Sequence, residues 1–240
     1  MFSKVNMVTA HPNHILLIPD GNRRYAIERG ITLIESYKKA SEKATKCLEW
    51  FFRDFKIPVF SAYSVSLDNM LKRSENELEP IYRVQVESYK KWLESSLLEK
   101  QDIKVKFIGE IHILPDFYQE IIKKLEKATQ NHKKHQLFIL AAYSGKLEII
   151  RAIKRMANEK NVLKNNLFNI LDKFYKYLEI RIPVDCVIRT ASEKRISDSL
   201  VYQSSHAEFC SISKYFPEIT KGDIERVLLE YSQRKRRFGE

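Results

Sequence analysis

The sequence predicts a single α/β domain over residues 1–240, a mainly parallel central sheet of about six strands flanked by helices. Three observations carry that expectation. Short apolar runs alternate along the chain with longer amphipathic stretches, the rhythm of parallel strands joined by crossover helices. No Ser/Gly-rich linker, low-complexity tract or internal repeat interrupts it. With 44% hydrophobic and 11% aromatic residues but only six Gly and seven Pro in 240, the chain can bury a core and is not disordered.

The elements follow in order. His14–Pro19 (HILLIP) is a short apolar strand, and a helical pattern over Arg23–Arg29 follows it. Ile34–Phe55 has helical spacing of apolar positions, and Val59–Ser64 (VFSAYS) has the β-branched and aromatic content of a second strand. Glu75–Leu98 reads as the next helix, and Val105–Gly109 (VKFIG) as a third strand ending at glycine. Asp116–Gln130 is helical, and Gln136–Ala142 (QLFILAA) is a buried fourth strand. Helical patterns at Lys146–Glu159 and Leu167–Tyr175 precede strands at Val184–Arg189 (VDCVIR) and about Ala207–Ile212, and Lys221–Gln233 closes the series.

Composition excludes several classes. The longest apolar stretch, Leu137–Tyr143, is far shorter than the ~20 residues that cross a bilayer. Residues 1–12 lack the apolar core and cleavage site of a secretory signal, so a cytoplasmic, reducing location is expected. Cys47, Cys186 and Cys210 are odd in number and widely spaced, which argues against a disulfide framework and predicts three buried thiols. The 42 Lys plus Arg against 31 Asp plus Glu give a net charge of +11, which attracts anions without choosing among nucleic acid, lipid headgroups and phosphorylated small molecules.

Ligands of open parallel sheets bind beyond the carboxyl ends of the strands. After the first strand comes Asp20-Gly21-Asn22-Arg23-Arg24-Tyr25. Gly21 permits a close backbone approach, Asn22 can cap the helix, and the helix start offers N–H groups and positive dipole to an anion. Asp20 beside two arginines suits a metal carboxylate next to phosphate ligands, while an Asp-Gly turn with surface arginines is the plainer alternative. After the fifth strand, Arg189 and Arg195 bracket Glu193, with Ser197 following, a set that suits a diphosphate; a solvated salt-bridge network through Glu193 is the alternative there. No GxxxxGK[ST], GxGxxG or DDxxD motif occurs, so the nucleotide-loop, dinucleotide and paired-aspartate architectures are absent.

Taken together, these segments resemble the cis-prenyltransferase family of the undecaprenyl diphosphate synthase type. His14 to Ala26 (HILLIPDGNRRYA) is similar to the opening H-x-x-x-I-M-D-G-N-x-R-W-A, and Asp185 to Glu208 to the closing D-L-x-I-R-T-x-G-E-x-R-x-S-x-F-L-x-W-Q-x-x-x-x-E. Tyr63 to Arg73 is similar to Y-x-F-S-x-E-N-W-x-R with one residue inserted, Ala141 to Lys146 to A-x-N-Y-G-G-R, and Arg237-Phe238-Gly239 to a terminal R-x-G. The resemblance implies an enzyme that joins isopentenyl diphosphate to an allylic diphosphate with Mg²⁺, forming a Z double bond. It places Asp20 and Glu208 on the metal, and Gly21, Asn22, Arg23, Arg24 and Tyr25 around the allylic diphosphate. Ser66, Asn69 and Arg73 would line the reacting centre, with Asp20 and Asn22 in the chemistry. Arg189, Arg195, Ser197, Arg237 and Gly239 would bind isopentenyl diphosphate, the tail reaching across a homodimer. The lipid product implies peripheral membrane association.

The departures from the pattern are specific. Leu33 and Tyr37 stand where the family usually places an arginine and a histidine on the allylic diphosphate, which predicts a short or otherwise unusual allylic substrate, or an irregular coupling of two short units. Ala191 and Ser192 replace frequent glycines, and Ala142 a common asparagine. Two other classes compete: a non-catalytic partner subunit, against which the retained Asp20 and arginines speak, and a basic RNA-binding protein, which the absence of a nucleic-acid module opposes, so no nucleic acid is expected.

Overall fold

The computed structural model describes residues 11–159 and 166–234. Its centre is one six-stranded, all-parallel sheet of order β3-β4-β2-β1-β5-β6. The strands are β1 (His14–Ile18), β2 (Val59–Ser66), β3 (Ile103–Ile108), β4 (His135–Tyr143), β5 (Cys186–Arg189) and β6 (Glu208–Ser211). The helices are α1 (Asn22–Arg29), α2 (Leu33–Leu48), α3 (Leu67–Lys72), α4 (Glu75–Glu94), α5 (Leu97–Lys100), α6 (Asp116–Thr129), α7 (Gly145–Ala157), α8 (Leu167–Phe174) and α9 (Lys221–Gln233).

Alternation along the strands builds two cores. Ile15 and Leu17 of β1 point to one face, with Phe60, Leu137 and Ile139, and are covered by α2, α4, α6 and α9. Leu16 and Ile18 point to the other, with Phe138, Leu140 and Val187, where Ile180, Val184 and Leu200 cover them. A pleated strand with apolar residues at every position buries both faces at once, which is why these strands lack a polar stripe.

Two predicted helices are subdivided. Ile34–Phe55 is the α-helix α2 followed by a π-helical turn over Glu49–Asp54. The wider turn accommodates Phe51 and Phe52, both fully buried, whose rings lie 4.6 and 6.1 Å from that of Phe60. Glu75–Leu98 breaks after Glu94, where Ser95 turns extended, and resumes as the single turn α5. The helix α3 has no counterpart in the sequence expectation. All three cysteines are buried and free, as expected.

The topology fixes where a ligand can sit. The chain leaves β1 toward β2 on one side and later returns to β5 on the other, so the loops after β1 and β5 diverge and leave a crevice between them.

Candidate active site

A cleft of about 980 Å³ opens at this crevice. Asp20 enters it from β1 and Arg189 from the last position of β5, which is in register with Ile18. Thr190 clasps the two loops together: its hydroxyl accepts from the Asp20 N–H at 2.7 Å and donates to the Asp20 carbonyl at 2.8 Å. Gly21 is what lets them meet. Its φ of 98° is left-handed, and a Cβ there would lie 2.6 Å from Tyr215 Cδ1 and 2.8 Å from Ala191 Cβ. Gly21 also occupies the cap position of α1, so Asn22 is the first helical residue rather than the cap expected for it. The Asn22 amide donates to the Pro19 carbonyl at 3.3 Å, and its buried oxygen has no protein partner.

The ionic order of the cleft runs Arg189, Asp20, Arg24, Glu193, Arg195. Arg189 is buried and donates to Asp20 Oδ2 at 2.8 Å and Ser197 Oγ at 2.7 Å, and also to the Arg195 carbonyl. It acts first as a strut holding the two loops in place. Asp20 Oδ1 lies 3.8 Å from Arg24, whose guanidinium is 3.0 Å from Glu193 Oε1, and Glu193 Oε2 accepts from Arg195 at 2.5 Å. Burial opposes ionisation of Asp20, but the hydrogen bonds from Arg189 and the Gly21 N–H, with the charges of Arg189 and Arg24, outweigh it and hold its carboxyl below the usual range. The salt-bridge network through Glu193 is therefore present, and Arg195 and Ser197 line the cleft beside it.

Other expected residues divide. Ser66, Asn69, Arg73 and Tyr37 line the cleft with Arg23, Arg24, Arg195 and Ser197. Ser66 caps α3, accepting from the Asn69 N–H at 3.0 Å. Arg73 faces the cleft and donates to the Tyr37 hydroxyl at 3.2 Å, while Lys72 pairs with Asp68 at 2.9 Å. Tyr25 and Leu33 do not line the cleft; Tyr25 stacks edge-on against Tyr215 at 6.3 Å. Glu208 lies apart from the cleft as well. It starts β6 opposite Cys186, at the other end of the sheet from Asp20, and pairs with Arg234 at 2.6 Å, so one chain does not bring the two carboxylates together. Arg237 and Gly239 lie outside the described residues. Lys146, Tyr143 and Asp198 line the cleft without having been expected there. For Tyr143 and Lys146 the signal was the Ala141–Lys146 segment, which runs from a strand end into a helix start, and for Asp198 its place beside Ser197.

Beneath the cleft, a smaller cavity of about 110 Å³ lies between α2 and α4. It is mostly apolar, walled by Leu48, Phe60 and Trp92 among others, and shares Pro19, Asn22, Tyr37, Tyr63 and Ser64 with the cleft. Trp92 Nε1 donates to Thr45 Oγ1 at 2.8 Å and ties the two helices together beside it. A charged cleft adjoining an apolar chamber is the shape required by an amphiphile with an anionic head.

Comparison with known proteins decides what that shape belongs to. The family model described as "Putative undecaprenyl diphosphate synthase" matches residues 18–239. The chain belongs to the undecaprenyl diphosphate synthase family. It is 38% identical over 95% of its length to the tritrans,polycis-undecaprenyl-diphosphate synthase (geranylgeranyl-diphosphate specific) of Pyrobaculum aerophilum, covering 96% of that protein. The Thermoplasma acidophilum protein of the same name is 36% identical over 95% of this chain and 89% of its own length. Among solved structures, lavandulyl diphosphate synthase from Lavandula x intermedia in complex with dimethylallyl diphosphate superimposes with a TM-score of 0.85 at 27% identity, covering 96% of this chain and 99% of that one. A probable undecaprenyl diphosphate synthase from Campylobacter jejuni gives 0.78 at 26%, covering 96% and 100%.

The protein is accordingly a cis-prenyltransferase, and the partner-subunit and RNA-binding alternatives fall away. Its departures from the family pattern gain a conformational meaning. Ala191, Ser192 and Ala142 have φ values of 65°, 59° and 49°. These are left-handed positions, where glycine or asparagine is favoured, and this chain holds them with ordinary side chains.

Proposed function

We propose that the cleft binds isopentenyl diphosphate and an allylic diphosphate side by side and joins them in a Mg²⁺-dependent, Z-selective condensation, with geranylgeranyl diphosphate as the allylic substrate. The observation that carries this reading is the convergence of Asp20, Arg24 and Arg73 on one side and Arg195 and Ser197 on the other, above an apolar chamber. The sequence left open whether the unusual allylic site takes a short or merely a different starter. The names of the relatives favour the second.

The donor set fits a metal carried by substrate. Among the described residues no three His, Cys, Asp or Glu side chains form a metal site by themselves. Mg²⁺ keeps much of its water and is commonly held by one or two carboxylates together with phosphate oxygens, a role open to Asp20. When bound there it supplies charge neutralisation to a departing diphosphate. The α1 N-terminal N–H groups and Arg24 hold the allylic diphosphate and stabilise the charge that develops as its C1–O bond breaks. Arg195 and Ser197 hold the second diphosphate so that C4 of the isopentenyl unit faces C1. The new C–C bond forms there, and a proton leaves C2 for a diphosphate oxygen, placing the double bond in the product. The chamber between α2 and α4 receives the hydrocarbon tail.

A homodimer completes the reading. Ile150 and Ile153 of α7 and Leu167, Phe168 and Leu171 of α8 are 48–80% exposed, an apolar face that suits a second copy. Sedimentation of Phe168→Glu should show monomer where the parent shows dimer; a monomeric parent contradicts the assembly.

The function is tested by incubating the purified chain with Mg²⁺, labelled isopentenyl diphosphate and allylic diphosphates from dimethylallyl to geranylgeranyl. Geranylgeranyl diphosphate should give the highest kcat/KM and a product with new Z bonds by NMR. Best use of dimethylallyl diphosphate would restore the short-starter alternative, and no incorporation with any of them would reject the condensation.

A further inference from the structure

Resting on the two-diphosphate reading above, we propose that Glu193 is a positioning residue that couples the two substrate sites. Its two carboxylate oxygens hold arginines assigned to different substrates, Oε1 at 3.0 Å from Arg24 and Oε2 at 2.5 Å from Arg195. All three side chains line the cleft. Arg195 is 62% exposed and Arg24 46%, so both guanidiniums are within reach of a ligand, whereas Glu193 is only 21% exposed and lies between them. Asp20 also lies 3.8 Å from Arg24, but among the described residues Glu193 is the carboxylate that pairs with both arginines, and it competes with both diphosphates.

The sign of the coupling follows from this competitor being shared by the two sites. A diphosphate arriving at Arg24 takes one of the two cations that retain Glu193 and places like charge beside its carboxylate, which favours its rotation out of the cleft. Arg195 is then less often occupied when the second diphosphate arrives. The same holds in the opposite order, because the displacement is needed once whichever ligand comes first. Each substrate therefore raises the affinity for the other through Glu193, reciprocally. Direct repulsion between the diphosphates acts against this, but it is present with or without Glu193, so comparison with a Glu193 variant isolates the carboxylate's part.

Calorimetric titration with isopentenyl diphosphate, and with the non-ionising thiolo analogue of geranylgeranyl diphosphate, each alone and each at saturation with the other, measures it. Between the parent protein and Glu193→Gln, each ligand alone should bind more tightly to the variant. The factor by which one ligand tightens the other should fall about fivefold or more. Glu193→Asp should restore part of that factor, and rising ionic strength should erode it in the parent, because the pairs are partly exposed. An equal coupling factor in parent and Glu193→Gln, with Tm unchanged, overturns the proposal. If Glu193→Gln does not fold, a salt-independent coupling factor in the parent overturns it instead. Failure of either diphosphate to bind the parent at all would reject the two-site function itself, an outcome separable from loss of coupling alone.

Discussion

Asp20, proposed for the chemistry, is also bound into the fold. Its carboxylate is a third exposed, yet it is the acid that faces the buried Arg189 guanidinium. Asp20→Ala should therefore cost about 1–3 kcal/mol of stability, because a buried cation loses its charged partner, whereas Asp20→Asn keeps an acceptor and should lose less. Chemical denaturation of the two variants checks this, and equal stability of both with the parent would contradict the strut. The Asp-Gly-Asn-Arg-Arg run was legible in the sequence because a strand end followed by glycine and a helix start is a local signal. Its ionic partners were not, since Arg189 ends β5 and Glu193 lies in the loop after it, far along the chain, and only the topology brings them near. That Tyr25 and Leu33 do not line the cleft was not legible either, because matching a motif position does not say which way a side chain on a short helix or at a helix start points.

At the level of elements, the loop from Ala191 to Leu200 carries local strain. Ala191, Ser192, Ser197, Asp198 and Leu200 all have positive φ, and each such residue costs on the order of 1 kcal/mol. Ser192 lines neither the cleft nor the apolar cavity beneath it. Relief of the left-handed strain outweighs the added freedom of the unfolded chain, so Ser192→Gly should stabilise the protein by about 0.5–1 kcal/mol and raise Tm; a lower Tm would contradict that balance. The strands were legible to within about two residues because apolar runs bounded by polar turns define them. Helix α3 was not, because six residues are too few to show a period. The π-helical turn was hidden for a different reason: Phe51 and Phe52 look like ordinary helical residues until Phe60 gives both a common packing partner.

Over the whole molecule, the end of the sheet opposite the cleft sets an acid limit. His14 is fully buried, with Nε2 2.7 Å from Ser61 Oγ and Nδ1 3.1 Å from the Pro183 carbonyl. Burial lowers its pKa from 6.5 to about 4, against the opposing hydrogen bonds to Ile182 and Pro183 and the charge of Asp185. Between those values the unfolded chain holds the proton and the folded chain does not, so the contribution of His14 is complete above pH 6.5 and declines as pH falls toward 4. The loss is roughly 3 kcal/mol, and His135, lowered by burial as well, adds in the same direction. Denaturation midpoints that stay level across that interval would contradict it. The parallel α/β architecture and the cleft's position were legible from strand rhythm and loop chemistry, but the charge chain across the cleft required the crossing from β1 to β5. The central claim is that this crossing makes a condensing site organised by Asp20. Incorporation of labelled isopentenyl diphosphate with geranylgeranyl diphosphate and Mg²⁺, compared between the parent and a folded Asp20→Asn, tests it most directly: the account predicts Z-prenyl diphosphate from the parent and at least a hundredfold less, on the order of 3 kcal/mol of transition-state stabilisation, from the variant, and equal turnover by the two would contradict it.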